Sequence, residues 1–482
     1  MAIALAVCLL LILGAWLSRL LGMPRLNVVS AFTVSWLIMI LVGVVFGGVT
    51  DGIAAFTWSI ILTGWISLFT GAVIAWLSRS SKSSSPSSSA VDVSRTLKFH
   101  LFFTAMFAVY IYTRVLAALP LIQAAGGWSA IIDVGGESYR NASLEQSLSE
   151  SRADLSAGLL EAAINYITFI LGMLSVYTGA VLWIASRRLI ALLPVALNGL
   201  LSVATFQRTS LIFAVLLFVS AIWVLTQSRI TLTNTMSGMR RRKPPVKPKR
   251  IRATIASIVL LAVVSTFVLI TTNARTNSPR QKGILDAFSG YIVGGLAGLN
   301  ARSAAGPEWA PIPSDTTPGI FDPSPGGGGY SFTGLWTVLA RLGFPVEPTS
   351  VNLNFIAVTI FGERRTTNVV SALGVFYLDF GIWGVVAVPL IVGFIATSLQ
   401  ARLILTGNVT YVPALAFLMT FVFWSFFGAW STDLRQLLVA AIGGAVFGRV
   451  IRSRRSNGSR ESTSQAWSPA VARHFHSDDA RV

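Results

Sequence analysis

The sequence predicts an all-α, polytopic integral membrane protein with about eleven transmembrane helices and one large extracytoplasmic loop. Of its 482 residues, 54% are hydrophobic and only 12% are charged, whereas a soluble domain carries about 25% charged residues. Apolar runs of about 20 residues, each long enough to cross a bilayer as a helix, recur along the chain. These runs lack the alternation of polar and apolar residues that marks the strands of a transmembrane β-barrel. Helices are therefore the structure that can satisfy their backbone hydrogen-bonding groups in lipid.

The apolar runs divide the chain into four parts. These are an N-terminal transmembrane bundle (1–272), an extracytoplasmic loop (273–370), C-terminal transmembrane helices (371–450) and a disordered cytoplasmic tail (451–482). The predicted spans are 2–22, 27–49, 53–77, 99–121, 158–184, 189–205, 209–227, 253–272, 371–399, 409–430 and 434–450. The sixth and seventh spans are interpreted as a tight hairpin, and one long kinked helix is the alternative.

The basic loop 228–252 sets the predicted orientation, because it holds nine basic residues and no acid. Short basic loops beside membrane helices stay in the cytoplasm. The linker 78–98 and the C-terminus then also lie inside, and the N-terminus lies outside. The loop 123–157 falls outside, in agreement with its five acids against two arginines.

The large outer loop has structure of its own in the prediction. Gly283–Asn300 and Phe332–Leu342 are typical of amphipathic or half-inserted helices. Between them, Gly306–Gly329 is rich in proline and glycine, which is typical of a mobile binding loop or lid.

Composition excludes several classes of function. The net charge of +18 sits at helix ends and in inside loops, and the basic runs lack interleaved aromatics, so no nucleic-acid partner is predicted. Cys8 is the only cysteine, which excludes disulfides within the chain and thiolate metal clusters. The histidines are His100, His474 and His476, none of them in an outer loop, so no metal site and no histidine-based triad is expected there. No nucleotide or cofactor motif occurs, and no cofactor is predicted.

Arginines on the outer side are the first set of candidate site residues, because positive charge in short loops of membrane proteins is normally found on the cytoplasmic side. Arg208 stands in a short turn between two apolar helices, Arg280 follows the eighth span, and Arg364 and Arg365 close the large loop. Arginine forms bidentate contacts to phosphate, so a lipid diphosphate at the outer leaflet would account for several of them. The alternative is that each is a snorkelling anchor or half of an ion pair.

Three further residues carry charge inside or beside apolar stretches. Asp379 lies about ten residues into the run 371–399 and suits general acid–base chemistry, or else caps or bridges helices. Asp286 is a similar candidate. Arg114, in the outer half of the fourth span, is a candidate too, with a simple pairing to Glu161 as the alternative.

Four short motifs make the chain resemble the oligosaccharide repeat-unit polymerases of the O-antigen polymerase type. They are the turn Gln207-Arg208-Thr209, the segment Tyr291-Ile292-Val293-Gly294-Gly295, the group Thr366-Thr367-Asn368, and Asp379-Phe380-Gly381-Ile382-Trp383-Gly384. The arrangement of many spans with one large outer loop before the last helices is also similar. The resemblance covers roughly residues 200–400.

The resemblance implies a bacterial plasma-membrane glycosyltransferase that polymerises polyprenyl-diphosphate-linked repeat units at the outer face, for surface polysaccharide synthesis. A flippase and a chain-length regulator of the same pathway would be its partners. A ligase-like or other lipid-linked glycosyltransferase is one alternative, and a transporter or flippase of lipid-linked sugars is another. The resulting site comprises Asp379, Arg208 and Arg364 as catalytic residues, and Arg280, Arg365, Tyr291, Asn368, Asp286 and Arg114 as substrate-binding residues.

Overall fold

The computed structural model describes much of the membrane-embedded part of the chain and shorter pieces of its loops. The described residues are 2–47, 52–79, 90–124, 127, 159–186, 188–205, 208–227, 231–233, 284–305, 331–332, 335–336, 338–339, 342–344, 356–360, 363–367, 371–426 and 434–451. The predicted eighth span, 253–272, lies outside this part of the chain, as does the predicted tail apart from its first residue.

Within these residues the structure has eleven α-helices, ten of which overlap predicted spans. Their bounds are α1 Ala2–Leu20, α2 Val28–Gly47, α3 Ala55–Leu77, α4 Val93–Ala124, α5 Leu159–Ser186, α6 Leu193–Thr205, α7 Arg208–Gln227, α8 Ile284–Ala305, α9 Ala372–Thr406, α10 Val412–Trp424 and α11 Leu434–Ile451. Turns of 3₁₀ helix, Leu189–Leu192 and Val409–Tyr411, lead into α6 and α10.

Seven of the described helices, α1 to α5, α7 and α9, are long and apolar enough to cross a membrane. Many of their large apolar side chains face outward, such as Leu9 and Trp16 on α1 and Trp383 on α9. Such side chains find their favourable environment in lipid, since the bilayer core is itself apolar. The chain is therefore a helical membrane protein, as predicted, and the number of eleven spans stays a prediction.

Two small sheets add to the predicted all-α architecture. β1 (Ala90–Asp92) pairs in parallel with β2 (Thr231–Thr233). β3 (Ile356–Ile360) and β4 (Glu363–Thr367) form an antiparallel hairpin within the large loop. The β1–β2 pair joins the linker 78–98 to the basic loop 228–252, so these two segments lie at the same end of the helix bundle.

The sixth and seventh predicted spans form a hairpin. The hydroxyl oxygens of Ser202 on α6 and Ser210 on α7 lie 3.0 Å apart, and the Leu211 amide donates to Ser202 Oγ. In a continuous helix residues eight apart would be separated by about 12 Å. The hairpin interpretation is confirmed, and the single kinked helix is wrong.

Side-chain hydrogen bonds collect several linkers at one end of the bundle, which we call the basic end. Leu26, in the α1–α2 linker, accepts from Gln227 at the end of α7 and from Gln400 on α9, at 2.8 and 2.7 Å. Trp76 on α3 donates to the carbonyl of Leu21. Exposed cations of the described residues at this end are Arg19, Arg25, Arg79, Lys98, Arg188, Arg402 and Arg449.

His100 joins three elements at the same end. Its ring nitrogens lie 3.1 Å from Thr178 Oγ1 on α5 and 2.9 Å from the carbonyl of Ile190 before α6. The side chain is fully buried. This histidine has a packing role, in agreement with its exclusion from the candidate site.

The opposite end of the bundle is organised by α8. Asn300 accepts from the Ala54 amide and from Thr57 Oγ1, both at 2.9 Å, and Thr57 also contacts Ser303 Oγ at 2.7 Å. Every residue of 292–299 is buried. This part of α8 is thus internal, so the amphipathic interpretation of Gly283–Asn300 is wrong for it, whereas the half-inserted alternative stays a prediction.

Candidate functional site

The predicted span 371–399 is two helices, not one, and this changes the position of Asp379. The backbone departs from helical geometry at Gly381, with φ 60° and ψ −149°. That region of backbone space is essentially restricted to glycine. We call residues 372–380 the short arm of α9 and residues 382–406 its long arm.

The two arms fold back on each other. A Cβ atom at Gly384 would overlap the carbonyl oxygen of Phe376 and would lie 2.9 Å from the Cβ of Phe380. Contact between residues eight apart requires the chain to reverse direction. The Asp-x-Gly-x-x-Gly motif is therefore the apex of a helical hairpin, with Gly381 as the turn and Gly384 as the close contact.

Contacts with α3 give the direction of the short arm. Leu373 packs at Gly64, halfway along α3, where an added Cβ would lie 2.6 Å from Leu373 Cδ2. Tyr377 reaches Phe56 at the start of α3, with ring centroids 5.7 Å apart in an edge-to-face arrangement. The short arm thus runs from the middle of the bundle toward the end opposite the basic end.

The long arm returns along α3 in the other direction, because its Gln400 lies at the basic end, where α3 also ends. Gly71 lies directly against the backbone of Leu390, and Gly393 lies directly against the backbone of Leu68. Glycine at both positions lets the two helix backbones approach closely, which is the usual means of helix association in membranes. The long arm ends at Gly407, a left-handed C-cap with φ 62° and ψ 16°.

The first residue of the short arm is anchored inside the bundle. Ser371 Oγ accepts from the Gly374 amide, and the Ala372 amide donates to the carbonyl of Ser425, the residue that follows α10. Ser425 Oγ in turn accepts from Trp36 Nε1 in the middle of α2, at 3.0 Å. These bonds satisfy two of the orphan amides of a helix start that lies away from water.

Asp379 lies two residues before the apex and is 1% exposed. Its Oδ2 accepts from the backbone amide of Ser331, a residue of the large loop, at 2.5 Å. Phe332 packs on Phe380, with ring centroids 6.4 Å apart. Residues 331–332 of the loop therefore cover the apex of the hairpin and hold its carboxylate. The continuous apolar run predicts Asp379 inside a membrane span. The structure instead places it at the apex of the hairpin.

The loop continues from this contact into helical turns. The amides of Leu335 and Trp336 bond back to the carbonyl of Phe332, and Leu342 bonds back to Val338. These bonds agree with the predicted helix Phe332–Leu342. Leu335 and Leu342 are exposed apolar side chains, as expected of a segment that lies at a membrane interface.

Two of the predicted arginines lie on the β3–β4 hairpin. Arg364 pairs with Thr359 and Arg365 with Val358 in the β-ladder. Strand β3 packs against α8, the helix that carries Asp286 and Tyr291. Helix α8 also contacts α9. The structure thus groups the elements that carry five of the predicted site residues: Asp379, Arg364, Arg365, Asp286 and Tyr291.

Arg208 and Arg114 belong to the other half of the bundle. Arg208 is the first residue of α7, at the predicted hairpin turn, and α7 packs against α5, α6 and α10. Arg114 lies on α4, which packs on α5, α6 and α11, and its Nε contacts the Tyr110 hydroxyl at 3.4 Å. The Tyr110 ring also lies 5.6 Å from the guanidinium, so this arginine has a local aromatic partner.

Arg280 and Asn368 lie outside the described residues. For a second group of residues the structure describes the backbone but not the side chain: Arg208, Asp286, Tyr291, Arg364, Arg365 and Glu161, the alternative partner of Arg114. Their placement is therefore known at most for the backbone.

Ser331, the residue that contacts Asp379, was not predicted from the sequence. Its only sequence signal is a position at the edge of the Pro/Gly-rich stretch, just before a predicted helix, which favours serine for local reasons. It contacts Asp379, which lies 48 residues further along the chain.

No protein-family model, curated protein or solved structure matches the chain. Its function is therefore inferred from its own residues and geometry.

Proposed function

We propose that the chain is a membrane glycosyltransferase that polymerises oligosaccharide repeat units carried on polyprenyl diphosphate, at the outer face of the bacterial plasma membrane. The observation that carries the proposal is the buried Asp379 at the apex of a helical hairpin, held by the backbone of the large loop. A carboxylate at that place, removed from water and covered by a loop, is suited to proton transfer at the membrane surface.

In the proposed reaction, a hydroxyl oxygen on the non-reducing sugar of one lipid-linked repeat unit attacks the anomeric carbon of the growing glycan. The bond from that carbon to the diphosphate oxygen breaks, and a glycosidic bond forms. Asp379 accepts the hydroxyl proton, and the polyprenyl diphosphate leaves with the bonding electron pair. No nucleotide is needed, since the diphosphate is already the leaving group.

Arginines would stabilise the charge that develops on the diphosphate. Arg364 and Arg365 lie on a hairpin beside α8, and Arg208 begins α7. Preorganised cations of this kind contribute about 2.7–4 kcal/mol each, or about 100- to 1000-fold in rate. Arg208→Lys and Arg364→Lys should therefore lower the polymerisation rate by two to three orders of magnitude at unchanged protein level, because the ammonium lacks the planar fork of the guanidinium. Full-length glycan from both variants would remove these arginines from the site.

The proposed orientation puts the basic end in the cytoplasm. Seven exposed cations gather there among the described residues, at the end that also carries the paired strands β1 and β2. Membrane proteins retain such charge on the cytoplasmic side, where lipids are anionic. The hairpin apex, Ser331 and the start of α3 then face outward, and the C-terminus lies inside.

The test in cells is Asp379→Asn, which retains the size of the side chain and can still accept from the Ser331 amide but cannot take a proton at neutral pH. We expect loss of polymer, with single repeat units left on the lipid carrier or at the surface. The matched control is Asp92→Asn at the basic end, whose Oδ1 caps the start of α4 through the Ser94 and Arg95 amides. Its polymer should be of normal length. Wild-type polymer from Asp379→Asn would contradict the base role.

A transporter or flippase of lipid-linked sugars is the second candidate, and the start of the short arm in the middle of the bundle favours it. Half-helices that begin near the membrane centre commonly form the substrate sites of transporters. The two functions differ in where substrate accumulates when the gene is deleted. Single repeat units accessible to an impermeant glycosidase support polymerisation, whereas inaccessible units support transport.

A further inference from the structure

Ser331 has a second polar group besides the amide that holds Asp379. Its side chain is fully buried, and its hydroxyl is without a hydrogen-bond partner in the part of the chain that the structure describes. Buried hydroxyls in proteins are generally paired, so an unpaired one needs an explanation, and a catalytic role or a bound partner is among the usual ones. This hydroxyl belongs to the residue whose amide contacts the Asp379 carboxylate.

We propose that the Ser331 hydroxyl binds the acceptor sugar, at a hydroxyl neighbouring the one that Asp379 deprotonates. The inference rests on the proposed function and adds a specificity-determining residue to it. A sugar hydroxyl both donates and accepts, as the serine hydroxyl does, so either can supply what the other lacks. A phosphate is the poorer match, because the adjacent carboxylate would repel it.

A hydroxyl whose only partner is the substrate can be recognised because its removal affects stability and substrate binding differently. Ser331→Ala leaves the backbone amide and its bond to Asp379 in place and removes only Oγ. If that oxygen has no partner in the free protein, its burial costs desolvation free energy that no hydrogen bond offsets. Removing it removes that cost, so the variant should be as stable as wild type or more stable. Binding of substrate should nonetheless weaken. A hydroxyl with a structural partner would lower both stability and binding when removed.

Thr397 on the long arm provides the matched control. Its hydroxyl is also buried and without a hydrogen-bond partner among the described residues, at 1% exposure of the residue. It lies toward the basic end of the long arm, since Gln400 contacts the α1–α2 linker there. Thr397→Val should therefore share the stability effect of Ser331→Ala and leave substrate binding unchanged.

The experiment uses the full chain purified in detergent. The probes are the lipid-linked repeat unit isolated from a strain that lacks this gene, and the oligosaccharide released from it by mild acid. We expect Ser331→Ala to raise the dissociation constant of the released oligosaccharide about 3- to 10-fold, the loss of one neutral hydrogen bond. The midpoint of thermal unfolding should stay equal or rise.

Wild-type binding by Ser331→Ala overturns the inference, as does a fall in its unfolding midpoint together with weaker binding. Failure of the proposed function gives a different result: the wild-type chain itself neither binds the oligosaccharide nor elongates the lipid-linked unit. Normal elongation by wild type with normal binding by Ser331→Ala refutes only the role of Ser331.

Discussion

The hairpin apex at Gly381 can be tested by a substitution that tells two left-handed backbone conformations apart. Asparagine is tolerated in the left-handed helical region, where its side chain bonds locally, but not in the region with ψ near 180°, which is essentially restricted to glycine. Gly381 lies in the second region, with φ 60° and ψ −149°, whereas Gly407 lies in the first, with φ 62° and ψ 16°. The same substitution at the two ends of the long arm should therefore have unequal effects.

For Gly381→Asn we expect a loss of about 1–3 kcal/mol in the free energy of unfolding, the range for a residue held in a sparsely populated backbone conformation. For Gly407→Asn we expect less than about 1 kcal/mol, because asparagine is an accepted residue at a left-handed C-cap. A Cβ at Gly381 has open space, since no heavy atom lies within 4 Å of it. The loss expected for Gly381→Asn therefore reports on backbone conformation and not on packing.

The assay can use Cys8, the only cysteine of the chain, which is 7% exposed. A thiol-reactive fluorophore added to the detergent-purified protein reports unfolding on heating, when Cys8 becomes accessible. At one heating rate, Gly381→Asn should unfold at a lower temperature than Gly407→Asn, which should stay close to wild type. Equal midpoints for the two variants would refute the reversal at Gly381 and, with it, the position of Asp379 at an apex.

Two further predictions concern topology and packing. Reporter fusions after Gly238, in the predicted cytoplasmic loop, and near Gly327, in the predicted outer loop, should report opposite sides of the membrane, because charge asymmetry orients the chain; the same side for both would contradict the orientation. In a Cys8→Ala background, Ser202→Cys with Ser210→Cys should form a disulfide on mild oxidation, since their hydroxyl oxygens are 3.0 Å apart. The control pair Ser202→Cys with Ser220→Cys should not, because Ser220 contacts Thr420 on α10 about three turns further along α7. Failure of the first pair to cross-link would count against the α6–α7 hairpin.

The sequence predicts the helices well because a membrane helix is specified by the average hydropathy of its residues. A run of about 20 apolar residues crosses a bilayer whatever its order, so α1 to α7 lie close to their predicted bounds. The hairpin between α6 and α7 was also predictable, since Gln207-Arg208-Thr209-Ser210 is the one polar interruption in an apolar run of hairpin length.

The reversal in α9 could not be found in this way, since hydropathy does not change across it. Phe380, Ile382 and Trp383 continue the apolar run through the turn, and only Gly381 marks the break. A single glycine inside an apolar stretch is equally typical of close helix packing, which is the role of Gly71 and Gly393. The backbone angles separate the two roles, and they depend on contacts with α3 that lie about 300 residues away in the chain.

The candidate site could be predicted in part for a similar reason. Asp379 stands out because a carboxylate in an apolar stretch is rare. Ser331 does not, because a serine in a polar loop is common, and its significance arises only from burial and from its amide contact with Asp379. The β3–β4 hairpin was likewise not predicted, since Ile356–Ile360 and Glu363–Thr367 are short strands, two residues apart, within a long loop.

The most direct test of polymerase activity is reconstitution of the purified chain in liposomes with the lipid-linked repeat unit as the only substrate. The proposed reaction predicts a ladder of glycans that grows by whole repeat units, with one polyprenyl diphosphate released for each linkage formed and no nucleotide required. Asp379→Asn in the same liposomes should yield single units only. Single units from the wild-type chain, whether unmoved or only transferred across the membrane, would contradict the proposed function.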